Sequence, residues 1–249
     1  MYRPHMPIIL LLLVLIFGGC SSTQTLPKQR TADDVFRDAK AALDDDDLIQ
    51  AASLFDIIKL QYPASQYADD AQYYLAEINF RKGEFILAAF NYSMVRRAYP
   101  NSDFAKEALF KSAVCYLELS PPFDRDQEYT KKAIQAFSEF QAVYPTDSLS
   151  LKALDHIGGL RTKLAERYFT IAEQYVTLGS MKGAVVYYDA VIEEYPDTHF
   201  YEDALVGKMT AQQRLKKYDD LRTTIARYRG TVRSGKRGAE VDQIEKELP

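Results

Sequence analysis

A chain of 249 residues that is 47% hydrophobic can bury a substantial core as one elongated domain. Its formal net charge of −4 and pI near 5.5 argue against a dedicated nucleic-acid binder, whose domains usually run basic. Only Cys20 and Cys115 exist, and Cys20 has another use, so no intramolecular disulfide is expected.

Arg3 supplies a small positive region, and Ile8 to Phe17 is an unbroken run of ten apolar residues. That length suits the hydrophobic part of a signal peptide and is too short to span a bilayer. Gly18-Gly19 before the lone Cys20 resembles a bacterial lipoprotein signal, although Phe17 stands where such signals usually carry Leu. Residues 1–19 are therefore expected to be a cleaved signal peptide and Cys20 a lipidation site that anchors the chain to a membrane. The alternative is a plain secretory signal that leaves a free thiol. Ser21 is not the aspartate that marks inner-membrane retention in many Gram-negative lipoproteins, which favours the outer membrane, facing the periplasm. Residues 20–31 are polar, contain Pro27 and lack periodicity, as a tether does. At about 3.6 Å per residue the tether reaches on the order of 40 Å.

The rest is organised by Tyr62-Pro63, Tyr99-Pro100, Tyr144-Pro145 and Tyr195-Pro196. Twelve residues before each proline is alanine (Ala51, Ala88, Ala133, Ala184), and eight before is an aromatic (Phe55, Tyr92, Phe137, Tyr188). Five before is a large apolar residue (Ile58, Val95, Phe140, Val191), and eight after is alanine again (Ala71, Ala108, Ala153, Ala204). The spacing i, i+4, i+7 is one face of a helix, which the proline ends because it lacks an N–H and disfavours helical backbone before it. Ser65, Ser102, Asp147 and Thr198, two residues after each proline, are expected to be N-caps of the next helix. The unit is a helical hairpin. The predicted fold is all-α, a solenoid of about five hairpins over residues 32–230, followed by a polar tail over 231–249.

In chain order, the first hairpin runs from about Asp33 to Tyr62 and turns at Asp44-Asp45-Asp46-Asp47. Calcium loops use alternating ligands and a distal Glu, so this run is taken as solvated and no metal is expected. The second hairpin, Ser65 to Tyr99, resembles the tetratricopeptide repeat (TPR) through Leu75, Ala76, Gly83, Phe85, Ala88 and Tyr92. Successive prolines lie 37, 45 and 51 residues apart, against a TPR period of about 34. The extra length of the third unit falls at Ser120 to Asp126, predicted to project as a loop. That of the fourth is placed in a first helix from Leu149 to Leu178, which Gly158-Gly159 would weaken or kink. The fifth unit, Thr198 to Arg229, is degenerate, with Leu221 replacing the alanine. Arg222, Arg227, Arg229, Arg233, Lys236 and Arg237 then make a basic stretch. It is either a contact for an acidic partner or lipid headgroups, or a solvated capping helix, the second being preferred.

The lipoprotein signal, the repeats, the stretch Ser120-Pro121-Pro122 to Thr130 and the helix ending Leu164-Ala165-Glu166-Arg167-Tyr168 together resemble the BamD family. These are lipoprotein subunits of the outer-membrane β-barrel assembly machinery. The resemblance covers roughly Cys20 to Tyr218. It implies a complex with periplasmic domains of a BamA-type barrel insertase and recognition of unfolded outer-membrane protein precursors. A TPR lipoprotein coordinating cell-wall or division machinery is the alternative, weakened by the lack of a sustained heptad.

Chemistry has little support. His156 and His199 stand in different repeats without partners for zinc, Cys115 sits on a packing face, and no phosphate loop or G-x-S-x-G occurs. Neither catalysis nor a cofactor is expected. Peptide binding is, because the first helices of stacked hairpins line a groove. Phe36, Tyr73, Tyr74, Glu77, Phe80 and Phe110 are the residues expected to face it, although aromatics there also pack against neighbouring helices.

Overall fold

The structure is a computed structural model that describes residues 30–249; the signal region and Cys20 lie outside the described residues. The described residues form helices with no strand: α1 (Ala32–Asp44), α2 (Leu48–Gln61), α3 (Ala68–Arg81), α4 (Phe85–Ala98), α5 (Ala105–Glu118), α6 (Glu128–Val143), α7 (Ser148–Thr177), α8 (Met181–Glu194), α9 (Phe200–Arg214), α10 (Tyr218–Thr231) and α11 (Gly238–Lys246). Each of α1 to α10 packs chiefly on its sequence neighbours, giving five hairpins stacked in order. None of these helices is long and apolar enough to cross a membrane.

The Tyr-Pro dipeptides end α2, α4, α6 and α8 as expected. In all four the tyrosine is the C-cap, with φ between −126° and −132° and ψ between 48° and 65°, backbone that the following proline imposes. The sixteen repeat positions form the core. Every alanine at both offsets is fully buried, as are Ile58, Val95, Phe140 and Val191, and the aromatics are at most 1% exposed. Alanine admits the next helix closely and the ring fills the space beside it.

The N-cap expectation is corrected. Ser65, Ser102, Asp147 and Thr198 each donate their backbone N–H to the carbonyl of the tyrosine three residues earlier, at 3.0, 3.0, 3.2 and 3.2 Å. They close a turn, and in three of the four copies the helix begins after it, with Tyr67, Phe104 and His199 at the N-cap. Only Asp147 caps, accepting the Leu149 N–H at 2.9 Å. Proline starts a turn here before helix can resume, and in three copies that turn carries the helix start one or two residues past the polar residue.

The hairpin bends share one device. In α1, α3, α7 and α9 the residue after the C-cap is left-handed: Asp46 (φ 59°), Gly83 (73°), Gly179 (73°) and Lys216 (56°). In each, that residue and the next donate to carbonyls of the last turn, for example Gly83 to Phe80 at 3.0 Å and Glu84 to Asn79 at 2.9 Å. The four aspartates are thus a helix stop. Asp46 bends the chain, and Asp47 accepts the Gln50 N–H at 3.0 Å as the N-cap of α2.

Two expectations about the insertions change together. The Ser120–Asp126 segment does not project but is pinned down. Buried Gln127 donates to the carbonyls of Pro122 (2.8 Å) and Arg125 (3.0 Å). From α7, Lys163 donates to Ser120 Oγ at 2.9 Å, and Arg167 donates to the carbonyls of Phe123 (2.9 Å) and Arg125 (2.6 Å). The longer loop and the longer helix meet, so each insertion satisfies the other's polar groups. α7 runs through Gly158-Gly159 without a break, held by buried Leu160 and Leu164.

The segment expected as a polar tail contains α11, which buries Val241 and Ile244 against the last hairpin. The basic side chains are mostly spent internally: Arg227 on Glu193, Arg229 on Asp242 and Glu245, Arg237 on Asp203 and Glu240. That supports the capping reading over a headgroup contact. Glu202 is the clamp, accepting the backbone N–H groups of Arg237 (2.7 Å) and Lys236 (3.1 Å) and the Tyr228 hydroxyl (2.8 Å). Burial opposes its charge, but these donors outweigh burial and hold its carboxyl below the ordinary 4.5. A depressed carboxyl stabilises the fold above its unfolded pKa, and that contribution is lost as the pH falls through the folded value. Amide exchange protection at Val241 and Ile244 should therefore be lost on acidification below the ordinary carboxylate range, before α4–α6 open. Glu202→Gln should weaken the same protection at neutral pH. Equal acid resistance of α11 and α4–α6 would exclude the clamp.

Candidate functional site

First helices of three successive hairpins line one depression of about 510 Å³. Its apolar wall is Phe80 from α3, Phe110 and Val114 from α5, and Leu149 from the start of α7. Phe110 and Val114 are i and i+4, so one stripe of α5 faces the cleft. Phe80 is braced edge-on by Phe85 at 5.3 Å, and Phe110 stands edge-on to Phe137 (5.5 Å) and Phe140 (5.3 Å). These rings are half-buried and held in place, each with a surface left to offer.

The charges around the cleft are balanced. Lys106 reaches Asp147 at 2.7 Å; Lys111 reaches Glu77 at 2.5 Å and Glu107 at 3.3 Å. The Lys106 hydrogen bond, helped by the Leu149 N–H, holds the Asp147 carboxyl below its ordinary value. Glu77 also accepts the hydroxyl of Tyr92, whose phenol is pushed far up by burial and then by that bond. With its cations already paired, the cleft favours uncharged aromatic or aliphatic side chains over a carboxylate.

Of the six groove residues expected from sequence, Phe80 and Phe110 are brought together here, with Glu77 at the edge holding Lys111. Phe36 and Tyr74 belong to a different aromatic cluster, where the first hairpin meets α3. Phe36 stacks on Tyr67 at 4.3 Å, and Tyr74 stacks on Phe55 at 5.2 Å with Lys40 Nζ 4.2 Å above its ring. Tyr73 must be withdrawn. It is 5% exposed, stacked on Phe104 at 4.2 Å and edge-on to Tyr92 at 5.8 Å. One residue along a helix turns the side chain by about 100°, which takes Tyr73 into the core while Tyr74 stays near the surface. Lys106, Val114 and Leu149 were missed, although the Phe110–Val114 spacing could have signalled Val114.

The other candidates take structural roles. Cys115 is fully buried, and burial pushes its thiol up to about 12, leaving no thiolate to react. His156 stacks on Phe137 at 4.9 Å, and His199 lies tilted against Phe200 at 4.1 Å. Among the described residues no cluster of three or more His, Cys, Asp or Glu could hold a metal ion.

Hairpins stacked in order around a shared aromatic, charge-balanced cleft define a TPR-type helical solenoid. The family model YfiO, described as an outer membrane lipoprotein, matches residues 28–227, and the chain belongs to this family, the BamD family. The outer membrane protein assembly factor BamD of Caulobacter vibrioides is 23% identical over 207 residues, covering 82% of this chain and 68% of the relative. The factor of the same name from Neisseria meningitidis serogroup A is 22% identical over 219 residues, 82% of each chain. A tetratricopeptide repeat protein from Parabacteroides merdae overlays on 87% of this chain and 85% of its own, at 14% identity and a TM-score of 0.39.

Proposed function

We propose that this chain is the lipid-anchored scaffold of an outer-membrane β-barrel assembly machinery. It docks to the periplasmic domains of a BamA-type insertase and holds unfolded outer-membrane protein precursors for insertion. In this reading residues 1–19 are removed, Cys20 carries the lipid, 20–31 form the tether, and 32–230 stand as a scaffold on the periplasmic face of the outer membrane. The chain works by grip, without catalysis or a cofactor. The relatives' role in outer membrane protein assembly supports this.

The observation that carries the reading is the cleft itself. A precursor strand alternates apolar and polar residues, so its aromatic side chains project to one side. Phe80, Phe110, Val114 and Leu149 can receive them, and the paired lysines leave nothing to select a charged peptide. Phe80→Ala with Phe110→Ala should weaken binding of a fluorescent peptide copying the aromatic-ended terminal strand of a barrel protein by about tenfold or more, since each lost apolar contact counts toward about 1.4 kcal/mol per decade. Helical circular dichroism should stay unchanged. Undiminished affinity would discard the cleft. Mass spectrometry of the mature N-terminus should find acyl groups on Cys20, and Cys20→Ala should free the chain from membrane fractions; an unmodified cysteine would dismiss the anchor.

A further inference from the structure

The outward face of α4 departs from those of the other second helices. Two before, one before and two after its packing alanine stand Ile86, Leu87 and Phe90. The same places hold Ile49, Gln50 and Ser53 in α2, Lys131, Lys132 and Gln135 in α6, and Lys182, Gly183 and Val186 in α8. Only α4 is apolar at all three, and the three side chains are 60, 48 and 56% exposed. The other three hairpins fold with at most one large apolar residue at these places, so the hairpin itself does not require this cluster. A contiguous exposed apolar patch of this kind marks an interaction surface. With Phe85 and Leu119 it frames a basin of about 560 Å³.

A second depression, of about 540 Å³, abuts the basin along α4. Phe90 borders the first and Ala89 the second; on α5, Leu119 and Tyr116 divide in the same way, one turn apart. Its floor is made by small side chains, Ala89, Ser93, Ser112 and Ala136, which leave room for a backbone to lie close. Its far end is basic. Arg96 bridges to Glu139 of α6 at 2.5 Å, while exposed Arg97 has no carboxylate within ion-pair distance among the described residues. Together the two depressions follow α4, whose 14 residues span on the order of 20 Å. Leu109, Ser112 and Tyr116 of α5 face this channel, and Phe110 and Val114 face the precursor cleft, so the two surfaces lie on different sides of one helix.

We infer that the outer face of α4 to α6 is a second docking surface, for an extended segment of a partner protein. The segment places large apolar side chains over Ile86, Leu87 and Phe90 and an acidic side chain at Arg97. At about 3.3 Å per residue, an extended strand covers the channel in about six residues. Charge complementarity decides which end of the segment is acidic: Arg97, the one cation lining the channel without an ion-pair partner among the described residues, lies at the end opposite the apolar basin. A floor of small residues between two helices fits a backbone rather than a bilayer, which meets a protein across a flat apolar edge. This surface is independent of the precursor cleft, so both can be filled at once.

The test pans a random twelve-residue phage library against the full chain in detergent micelles. Recovered peptides should carry large apolar residues with Asp or Glu about three to five positions away, the rise along α4 from Phe90 or Ile86 to Arg97 divided by about 3.3 Å. Phe90→Ser and Arg97→Glu should each weaken their binding about tenfold; both positions are exposed, so the variants fold. Replacing the peptide's acid by Lys should restore binding to Arg97→Glu. Phe80→Ala with Phe110→Ala should leave binding unchanged, which separates this surface from the precursor cleft. The inference is overturned if no such pattern is recovered or if the peptides ignore both substitutions. It is also overturned if Phe90→Ser instead abolishes self-association in sedimentation, or flotation with phosphatidylethanolamine–phosphatidylglycerol vesicles.

Discussion

Phe137→Ala should cost about 3–5 kcal/mol and split the unfolding of the chain into two transitions. Phe137 is fully buried at the centre of the cluster that joins α5, α6 and α7, among Leu109, Ala113, Phe140, Ala153 and Leu160. Truncation removes the ring's transfer free energy and leaves a cavity that Ala133 and Ala153, already small, cannot fill. A loss of this size compares with the whole stability of a typical domain, about 5–15 kcal/mol. Because each helix packs chiefly on the next, the first two hairpins communicate with the last two chiefly through this middle unit. Urea unfolding followed by amide exchange should show the two ends opening at different denaturant concentrations. Leu60→Ala, at an 81% exposed position, should change stability by less than about 0.5 kcal/mol. A loss under about 1 kcal/mol for Phe137→Ala, or one cooperative transition, would contradict the nearest-neighbour account.

The core was legible because the repeat states it four times. A position that is alanine or aromatic in every copy must face the same neighbour in every copy, and all sixteen proved buried. What the repeat does not average was harder to see. Ser65, Ser102 and Thr198 have the chemistry of N-caps, but the proline turn moves the helix start one or two residues beyond them, to Tyr67, Phe104 and His199. The Ser120–Asp126 segment looks like a free loop until α7 supplies Lys163 and Arg167 to its carbonyls, a contact about 40 residues away in sequence. In the site, Tyr73 and Tyr74 differ by one position and by which side of α3 they leave, a distinction composition cannot make. The Tyr–Glu pairing was also missed, though it is written in the sequence. Tyr92 and Tyr188 donate to Glu77 and Glu173, each fifteen residues earlier, while Phe55, with no hydroxyl, has Lys40 at that offset. Glu77 is therefore held by its own hairpin before any ligand arrives.

Gly207→Ala should destabilise the chain, although alanine is the better helix former. In mid-helix that exchange alone should stabilise by about 0.5–1 kcal/mol. Here a Cβ on Gly207 would lie 2.4 Å from Cζ and 2.7 Å from the hydroxyl oxygen of Tyr188. The ring cannot yield cheaply. Tyr188 is 1% exposed, packed between α8 and α9, and its hydroxyl is committed to Glu173. Overpacking of this kind costs about 1–3 kcal/mol, and pulling the hydroxyl from its partner adds about 1 kcal/mol, so the net change is a loss of about 2 kcal/mol. The two effects can be separated by removing the ring. In a Tyr188→Ala background the clash is gone and only helix propensity remains, so Gly207→Ala should then stabilise. The sign of one substitution thus reverses with the residue opposite it, readable as a fall in thermal midpoint in the native chain and a rise in the variant. Destabilisation in both backgrounds would mean that Gly207 serves the helix itself, and that α8 and α9 do not meet at this pair.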